Sequence, residues 1–579
     1  MTAASDPSGA AKTSRAHALI AWILFTAAIL SVALVPIRAD NDCWWHVKTG
    51  QFLWQAGELP KHDVFNYLAE GYEWHNHEWL AQLWFHAMFA AGDDGFQGGW
   101  RSLVFGIGLH LWAAYAILLL LAKRITGNWW LALLITLLAI GVGRRTFYPR
   151  PPVISYVILA GLVALFTAYS EGWITRRRWL LALLPLTSLW TNLHGAWFAG
   201  LIVMGAYGLQ GFFAHFQERA PNPFERSPAI LPPAQWIALG AAIALSTFAN
   251  PYGRRLWELP VRVLSDQALV RSIGELQSPD FFFVKHFEAA FLATLLLALF
   301  VPRFRPRIGE LAVYLFFFHQ AIQHVRHLTL FGIVMVPLVA RLSAHALEVS
   351  RAALADRFGA AGPRALALAL PAVAIATMAV LLKNPVEGQS YPERNAQFLF
   401  GPDPASRDLS KGIGYVREAF PAAACDFIEL ARLEGNMFNR NHYAGYLIWR
   451  FSPETHRVFA DSRFDIFGGD FLSTEIAIEG AQEFDPTEVR ESGRLPDTPL
   501  WQRLLDQYDV QWMLIRGEMP LASAMGADPD RTWTRVAHWP EPGRGHLRSG
   551  WQVWIRDTAP NAGQIARARS TAAGLGVAP

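Results

Sequence analysis

The stretch "ALIAWILFTAAILSVALVPI", residues 18–37, is followed at once by "RADNDCWWHVKTG", residues 38–50. The first segment predicts a membrane-spanning helix, because about 20 apolar residues cross the hydrocarbon core of a bilayer. It is too long for the core of a signal peptide and has no convincing cleavage site, so we expect a retained first helix. The second segment places Asp40 and Asp42 at the end of that span.

The composition agrees with a membrane protein along the whole chain. Of its 579 residues, 53% are hydrophobic and only 17% are charged, whereas soluble proteins average about 25% charged residues. The net charge of +3 is too small to indicate a nucleic-acid partner. The two cysteines, Cys43 and Cys425, define no metal or disulfide framework. We expect two separate buried thiols, with pairing across the chain as the alternative.

Apolar segments near bilayer length recur along the chain and predict a mostly α-helical, polytopic fold. We place about eleven spans, at residues 15–37, 100–122, 128–143, 151–170, 179–193, 195–214, 234–250, 286–302, 308–325, 327–345 and 365–383. The predicted membrane domain therefore covers residues 15–383, after a cytoplasmic tail of residues 1–14. No internal repeat is evident.

Basic residues in the short loops set the predicted orientation, because cytoplasmic loops are enriched in Lys and Arg. A cytoplasmic N-terminus brings most basic clusters to the same side: Lys123–Arg124, Arg176–Arg178, and the loops at 303–307 and 350–364. Several arginines fall on the opposite face: Arg144, Arg145, Arg150, Arg254, Arg255 and Arg326. Charged residues at such positions indicate a function, such as binding an anionic ligand.

From about residue 384 the chain becomes richer in charge and poorer in Leu and Ala. With an odd number of spans, residues 384–560 form an extracytoplasmic α/β domain. "GYLIWRF" (445–451) and "HRVFADSRF" (456–464) are typical of short strands, and "TRVAHW" with "WQVWIRD" of a strand pair. Residues 561–579 are expected to be disordered.

The polar clusters of the chain collect on the predicted outer face. The first outer loop, residues 38–99, begins with Asp40 and Asp42, which share one face if the segment is extended. A carboxylate there can act as a general base or hold a divalent cation; the alternative is a solvated helix end. The same loop supplies candidate metal ligands: Asp63, His75, His77 and Glu78. Asp63 can equally be an N-cap for the segment that follows it. "EWLAQLWFHAMFA" predicts an interfacial amphipathic helix, in which Glu78 can instead serve as a helix cap.

Cationic and polar residues near the outer ends of later spans are candidates for binding substrate. Arg144, Arg145 and Arg326 can bind phosphate oxygens bidentately, with lipid headgroup contact as the alternative. The remaining candidates for substrate contacts are His46, Asn192, His194 and His327. Asn192 and His194 can equally satisfy backbone groups at a tight helical turn.

Several motifs carry a resemblance to a known superfamily: "DNDCWWHVKTGQFL", "GELPKHDVFNYLAEGYEWHNHEWLAQLWF", "RRTFYPRPP", "WTNLHGAWFAG" and "NHYAGYLIWRFSPETHRVFADSRFDIFG". With the long acidic first outer loop and the outer C-terminal domain, the chain resembles the GT-C superfamily of membrane glycosyltransferases. It is most similar to a group of bacterial membrane proteins with GT-C-like architecture. The resemblance implies that Asp40 or Asp42 is the base or a metal-linked carboxylate. The chain has no clear second pair of acids after the first outer loop. Whether the reaction depends on a divalent cation therefore stays open.

The resemblance implies a glycosyltransferase that uses a polyprenyl-phosphate-linked sugar as donor. The acceptor is a glycan, a lipid or a protein, and the reaction takes place at the extracytoplasmic face of the bacterial inner membrane, among membrane lipids. Two alternatives remain: an envelope glycan polymerase or ligase, and a non-enzymatic transporter or assembly scaffold for envelope polysaccharide. Charges at one rim rather than at the bilayer midplane argue against a transporter.

Overall fold

The computed structural model of the chain describes residues 7–33, 40–92, 95–216, 224–225, 227–228, 231–266, 270, 273–281, 284–382, 420–540 and 550–579. These residues are mostly helical, with one small sheet. They group into two compact units whose segments alternate along the chain. Unit 1 takes its described residues from 1–37, 88–254 and 273–400, and unit 2 takes its described residues from 38–87, 255–272 and 401–579.

Unit 1 is a helical bundle. Its helices are α1 (Pro7–Ala33), α4 (Gly95–Thr126), α5 (Trp129–Gly143), α6 (Pro152–Ser170), α7 (Arg176–Trp190), α8 (Trp197–Phe216), α9 (Pro233–Ser246), α11 (Lys285–Phe300), α12 (Ile308–Gln323), α13 (Leu328–Val334), α14 (Val336–Phe358) and α15 (Ala361–Leu382). Helices are numbered in chain order; α2, α3 and α10 belong wholly or partly to unit 2. Short 3-10 turns lie at Arg144–Thr146, Gly274–Leu276 and Val325–His327.

Each predicted span overlaps a helix of unit 1, and the span at 327–345 overlaps the consecutive helices α13 and α14. By length and composition, five helical stretches can cross a membrane: Ser14–Ala33, Gly98–Thr126, Trp129–Thr146, Pro152–Ser170 and Ala361–Leu382. A sixth is added if the bent pair Val325–Val334 and Val336–Phe358 forms one span. The chain is therefore a multi-pass membrane protein, and the count of about eleven spans stays a prediction.

Burial separates central from peripheral helices in unit 1. Asn128 caps α5 by accepting hydrogen bonds from the backbone of Trp130 and Leu131, and most side chains of that helix are buried. A helix that is apolar all round and buried belongs in the interior of a bundle. Few side chains of α15 are buried, as expected for an apolar helix that faces lipid.

Unit 2 mixes helices with the sheet. Its helices are α2 (Asn41–Ala56), α10 (Arg255–Ser265), α16 (Ala422–Ala431), α17 (Asn441–Phe451), α18 (Phe464–Glu479), α19 (Pro486–Ser492), α20 (Leu500–Gln507), α21 (Pro520–Ala527) and α22 (Ala562–Leu575), and α3 (Trp79–Ala90) begins in it. The strands β1 (Asn436–Phe438), β2 (Val510–Arg516), β3 (Trp533–Pro540) and β4 (Gly550–Arg556) form a sheet in the order β1-β2-β4-β3. β1 is parallel to β2, and the other pairs are antiparallel. The predicted pairing of "TRVAHW" with "WQVWIRD" is confirmed.

Three predictions for the C-terminal region are wrong. "HRVFADSRF" is not a strand: it makes an isolated bridge from Val458 to Asn66 and then enters helix α18 at Phe464. "GYLIWRF" belongs to helix α17 rather than to a strand, because Tyr443, Leu447 and Phe451 recur at helical spacing and are all buried. Residues 562–575 form helix α22 rather than a disordered tail. That helix buries Ile565, Ala568 and Ala572, and the backbone N–H of His538 donates to the carbonyl of Ala578 at 2.7 Å. Cys43 and Cys425 are both buried and are not joined in a disulfide.

Candidate functional site

Asp40 is a helix cap. Its carboxylate accepts a hydrogen bond from the backbone N–H of Asp42 at 2.9 Å, and the residue is buried. This satisfies one of the N–H groups that a helix leaves unpaired at its start. The two acids therefore do not share the face of an extended segment, as the spacing had predicted, because α2 begins between them. The geometry assigns Asp40 a structural role.

Asp42 lies in the first turn of α2 and is half-buried. The partial positive charge of a helix N-terminus favours an acidic residue in the first turn. The hydroxyl of Ser462 donates a hydrogen bond to one oxygen of the Asp42 carboxylate. Burial lowers the pKa of His442, and the neighbouring Asp42 carboxylate opposes that shift. Of the two predicted catalytic acids, Asp42 is the one that is partly accessible and held by a side chain.

Asn41 joins the start of α2 to the start of α17. Its side-chain amide donates to the carbonyl of Asn441 at 2.7 Å, and its side-chain oxygen accepts from the backbone N–H of Gly445 at 2.7 Å. A Cβ atom on Gly445 would lie 2.0 Å from the backbone oxygen of Asn41, so only glycine permits this approach. Asn441 in turn donates its backbone N–H to Glu475 at 2.9 Å. No local feature of the sequence marks the contacts of Asn41, which join residues 400 and 404 positions apart.

Asp63 is the acid of a buried ion triad rather than a metal ligand. The Arg463 guanidinium donates to both oxygens of Asp63, at 2.7 and 3.0 Å, and to Asp461 at 2.7 and 3.0 Å. All three side chains are fully buried. The guanidinium also lies over the rings of Trp74, at 4.8 Å, and Phe65, at 5.2 Å. With both oxygens of Asp63 used by Arg463, this geometry does not fit a cation ligand.

His46 and Glu78 belong to a buried polar cluster under α3. The His46 Nε2 lies 3.8 Å from Glu78, and its Nδ1 lies 3.5 Å from the amide of Gln82. The amide of Asn76 donates to Gln82 at 2.6 Å. The carbonyl of Glu78 accepts from the backbone N–H of Gln82, so Glu78 precedes the first turn of α3. These contacts place Glu78 at the start of α3, with its carboxylate beside the His46 ring in the interior of unit 2, and both roles predicted for Glu78 stay predictions.

The two remaining candidate metal ligands face different partners. His75 lies 3.6 Å from Glu73 and accepts from the Arg255 guanidinium at 2.9 Å, whereas His77 lies 3.9 Å from Glu78. The hydrogen bond from Arg255 lowers the pKa of Glu73. Within the part of the chain that the structure describes, no three His, Cys, Asp or Glu side chains are grouped to hold a metal. Dependence on a divalent cation therefore stays a prediction.

In unit 1 the adjacent arginines Arg144 and Arg145 lie on the 3-10 turn Arg144–Thr146. The Thr146 and Thr329 hydroxyls are hydrogen-bonded to each other, and Thr329 also donates to the carbonyl of Gly143 at 2.9 Å. The Tyr156 hydroxyl donates to the carbonyl of Thr146 at 3.3 Å. Three hydrogen bonds with Thr329 and Tyr156 thus hold this turn and the residue before it. Arg144 itself donates to the carbonyl of Leu381 at 3.3 Å.

Arg326 and His327 lie on a second 3-10 turn, Val325–His327, that pairs with the segment around residue 276. The Val325 N–H donates to the carbonyl of Gln277 at 3.0 Å, and the His324 ring approaches the carbonyl of Leu276 at 2.7 Å. Arg326 is exposed and acts electrostatically on Tyr156. Arg150 pairs with Glu275 at 3.0 Å. We call Arg144, Arg145, Arg150 and Arg326 the arginine rim, because the contacts of Tyr156, Thr146 and Glu275 bring their turns together.

Asn192 and His194 satisfy polar groups inside unit 1. The amide of Asn192 donates to the carbonyls of Ala249, at 2.8 Å, and Ser188, at 3.0 Å. His194 is buried, and its Nδ1 lies 3.0 Å from the hydroxyl of Ser155, which accepts from the Trp190 indole at 2.8 Å. These contacts favour the structural alternative for both residues. Ser155 adjoins Tyr156, so the first turns of α6 connect His194 to the arginine rim.

Other arginines of unit 1 are paired with carboxylates in an interior cluster. Arg307 donates to Glu171 at 2.7 Å, and the Arg341 guanidinium donates to both oxygens of Glu310, at 3.0 and 2.8 Å. Arg307 and Glu310 are buried. Arg307 belongs to the basic loop that the sequence predicts on the cytoplasmic side. This cluster is a network of ion pairs and contrasts with the exposed Arg326.

No protein-family model matches the chain, and no curated protein matches it. Among solved structures, the chain is similar to archaeal oligosaccharyltransferase AglB from Archaeoglobus fulgidus in complex with an inhibitory peptide and a dolichol-phosphate. The TM-score is 0.52 and the identity 15%, over 87% of this chain and 70% of that chain. A second structure of the Archaeoglobus fulgidus oligosaccharyltransferase, tethered with an acceptor peptide containing the NVT sequon, gives a TM-score of 0.50 and 14% identity, over 93% and 74%. At 14–15% identity the likeness is one of fold alone: the chain has a fold similar to that of the archaeal oligosaccharyltransferase.

Proposed function

We propose that the protein is a membrane glycosyltransferase that moves a sugar from a polyprenyl-phosphate-linked donor to an acceptor, with Asp42 as the general base. The observation that carries the proposal is the setting of Asp42, which is half-buried at a helix N-terminus and hydrogen-bonded by Ser462. The GT-C-like fold supports the reaction class, since the similar archaeal oligosaccharyltransferase has been solved with a dolichol-phosphate and with peptides. The orientation proposed from the sequence puts the reaction on the extracytoplasmic face of the bacterial inner membrane.

The proposed chemistry needs one carboxylate and several cations. Asp42 accepts the proton of an acceptor hydroxyl or amide while the acceptor atom forms a bond to the anomeric carbon of the sugar. The bond from that carbon to the phosphate oxygen breaks, and its electron pair leaves with the lipid phosphate. Guanidinium groups can stabilise the charge of a departing phosphate, and from their place in the sequence we propose Arg145 and Arg326 for this role. Arg150 is a weaker candidate because it pairs with Glu275.

A matched pair of conservative variants tests the base. Asp42→Asn removes the carboxylate that accepts the proton. Asp40→Asn removes the neighbouring charge but keeps the cap, because Asn caps helices as well as Asp does. The protein, in lipid nanodiscs, is incubated with radiolabelled lipid-linked sugars extracted from the cells that contain it, and label leaving the organic phase is counted.

We expect Asp42→Asn to lower transfer by about 10²- to 10⁴-fold, the usual contribution of a general base, and Asp40→Asn to stay within about threefold of the wild type. Full transfer by Asp42→Asn would overturn the proposed base and would favour a polymerase or ligase that needs no catalytic carboxylate. A failure of the wild-type protein to release label from any extracted donor would overturn the proposed donor class.

A further inference from the structure

Among the described contacts of residues 461–463, the side chain that reaches Asp42 is that of Ser462. It is half-buried between Asp461 and Arg463, which are both buried. Its hydroxyl donates to the Asp42 carboxylate, and the amide of Asn41 approaches the same hydroxyl at 3.4 Å. The sequence presented "FADSRFD" as a charged cluster, and nothing local marked the serine as its functional member.

The residues on both sides of Ser462 are fixed by the ion triad. The Asp461 carboxylate accepts from the backbone N–H of Arg463 at 2.9 Å as well as from its guanidinium. The Arg463 guanidinium also donates two hydrogen bonds to Asp63, which belongs to the first outer loop. Moving residues 461–463 would expose or separate charges that are fully buried, which is strongly unfavourable. The backbone of Ser462 is therefore held in one place.

Asp42 is held from its own side by equally specific contacts. Asn41 hydrogen-bonds to two backbone groups of α17, and the Gly445 backbone touches the backbone of α2. The buried Glu475 accepts from the first N–H group of α17 and so fixes the start of that helix. A hydroxyl and a carboxylate that are both mounted on buried networks keep their mutual geometry during a reaction.

We propose that Ser462 is a positioning residue of the transfer reaction: its hydroxyl fixes the orientation of the Asp42 carboxylate, and the Asp63–Arg463–Asp461 triad holds Ser462 for that purpose. The inference rests on the proposed function of Asp42 as the base. A base must meet the acceptor proton at hydrogen-bond distance and in line, and misplacement by about 1 Å can cost about 10²-fold in rate. Ser462 itself takes no proton from the substrate.

The test separates positioning from mere stability by comparing kcat with KM. In the labelled-donor assay, Ser462→Ala is expected to lower kcat by about 10- to 100-fold and to leave KM for the donor within about twofold, since orienting the base acts on the transition state. Ser462→Thr keeps the hydroxyl and is expected to recover most of the loss. The matched control is Thr534→Val: Thr534 also donates its hydroxyl to an aspartate, Asp557, at 2.8 Å, and its loss is expected to change neither constant.

A double variant shows whether Ser462 acts through Asp42. Once Asp42→Asn has removed the base, adding Ser462→Ala is expected to cost less than about twofold more, because residues that act as a unit are not additive. An unchanged kcat in Ser462→Ala, or an equal loss in the presence and absence of Asp42→Asn, would overturn the inference while the base stands. Full transfer by Asp42→Asn would instead overturn the proposed function itself. Failure of Ser462→Thr to recover kcat would also count against positioning by the hydroxyl.

Discussion

Glu475 provides a pH-dependent test of how unit 2 is built. Its carboxyl group is buried, accepts the backbone N–H of Asn441 at 2.9 Å, and has a pKa raised to about 7, chiefly by burial. Glu479 raises this pKa further, whereas Arg440 lowers it. The change we consider is Glu475→Gln, which keeps an oxygen for the Asn441 N–H and cannot ionise.

The sign of the effect follows from the direction of the shift. A carboxyl whose folded-state pKa exceeds its unfolded value stabilises the fold fully below the unfolded pKa, and that stabilisation is lost as the pH rises through the folded pKa. The window here runs from the reference value of 4.5 to about 7. At 1.36 kcal/mol per pKa unit, the loss is on the order of 3 kcal/mol. Glu475→Gln should therefore match the wild type near pH 5 and exceed its stability at pH 8.

The assay is thermal unfolding of the full chain in detergent, followed by tryptophan emission at pH 5 and at pH 8. Trp501, Trp533 and Trp554 lie in the buried core around the sheet and report on unit 2. A gain on the order of 3 kcal/mol corresponds to roughly 6–12 °C for a unit of this size. Glu491→Gln, on the surface of the same unit, is the control and should show no such difference. An equal offset between Glu475→Gln and the wild type at both pH values would refute the reasoning.

Four further changes test other parts of the structure. Arg463→Met leaves two buried carboxylates without their partner and should lower the free energy of unfolding by about 3–5 kcal/mol, measured by denaturant titration; a loss below about 1 kcal/mol would contradict a buried triad. Asp40→Ala should cost about 1 kcal/mol in the same titration, and Asp40→Asn almost nothing. Gly445→Ala should lower the unfolding temperature and the transfer rate together, because the added Cβ drives Asn41 away; an unchanged rate would speak against that contact. Arg326→Gln should weaken binding of undecaprenyl phosphate in nanodiscs by about tenfold, whereas Arg351→Gln should not.

The sequence predicted where the helices of unit 1 lie, because an apolar run is a signal that needs no knowledge of neighbours, although only five described helices, or six with the bent pair, are long and apolar enough to cross a membrane. It failed for residues 445–451, where aromatic and branched side chains favour a strand locally. There the burial of Tyr443, Leu447 and Phe451 on one helical face overrides that preference. The final helix was not predicted because its buried face has only one large apolar side chain, Ile565, beside Gln564, Ala568 and Ala572.

The roles of the candidate site residues stay predictions, and the long-range contacts that the structure gives them are not visible in the sequence. Asp42 was identified as an acid at the rim of the first span, but Ser462, 420 positions away, is its partner. Long-range pairing of this kind leaves no periodic trace in one sequence. A carboxylate in a His-rich loop fits the chemistry of a metal ligand, which is why Asp63 is a candidate from the sequence. In the structure, Arg463, 400 positions away, donates hydrogen bonds to both oxygens of Asp63.

The most direct test of the central claim is a cryo-electron microscopy map of the full chain in nanodiscs with undecaprenyl phosphate. The account predicts headgroup density about 3 Å from the guanidinium of Arg145 or Arg326, the distance of a charge-assisted hydrogen bond. Phosphate density against Arg307 and Arg341, whose guanidinium groups are already paired with Glu171 and Glu310, would contradict it and would place the lipid phosphate on the side that the sequence assigns to the cytoplasm.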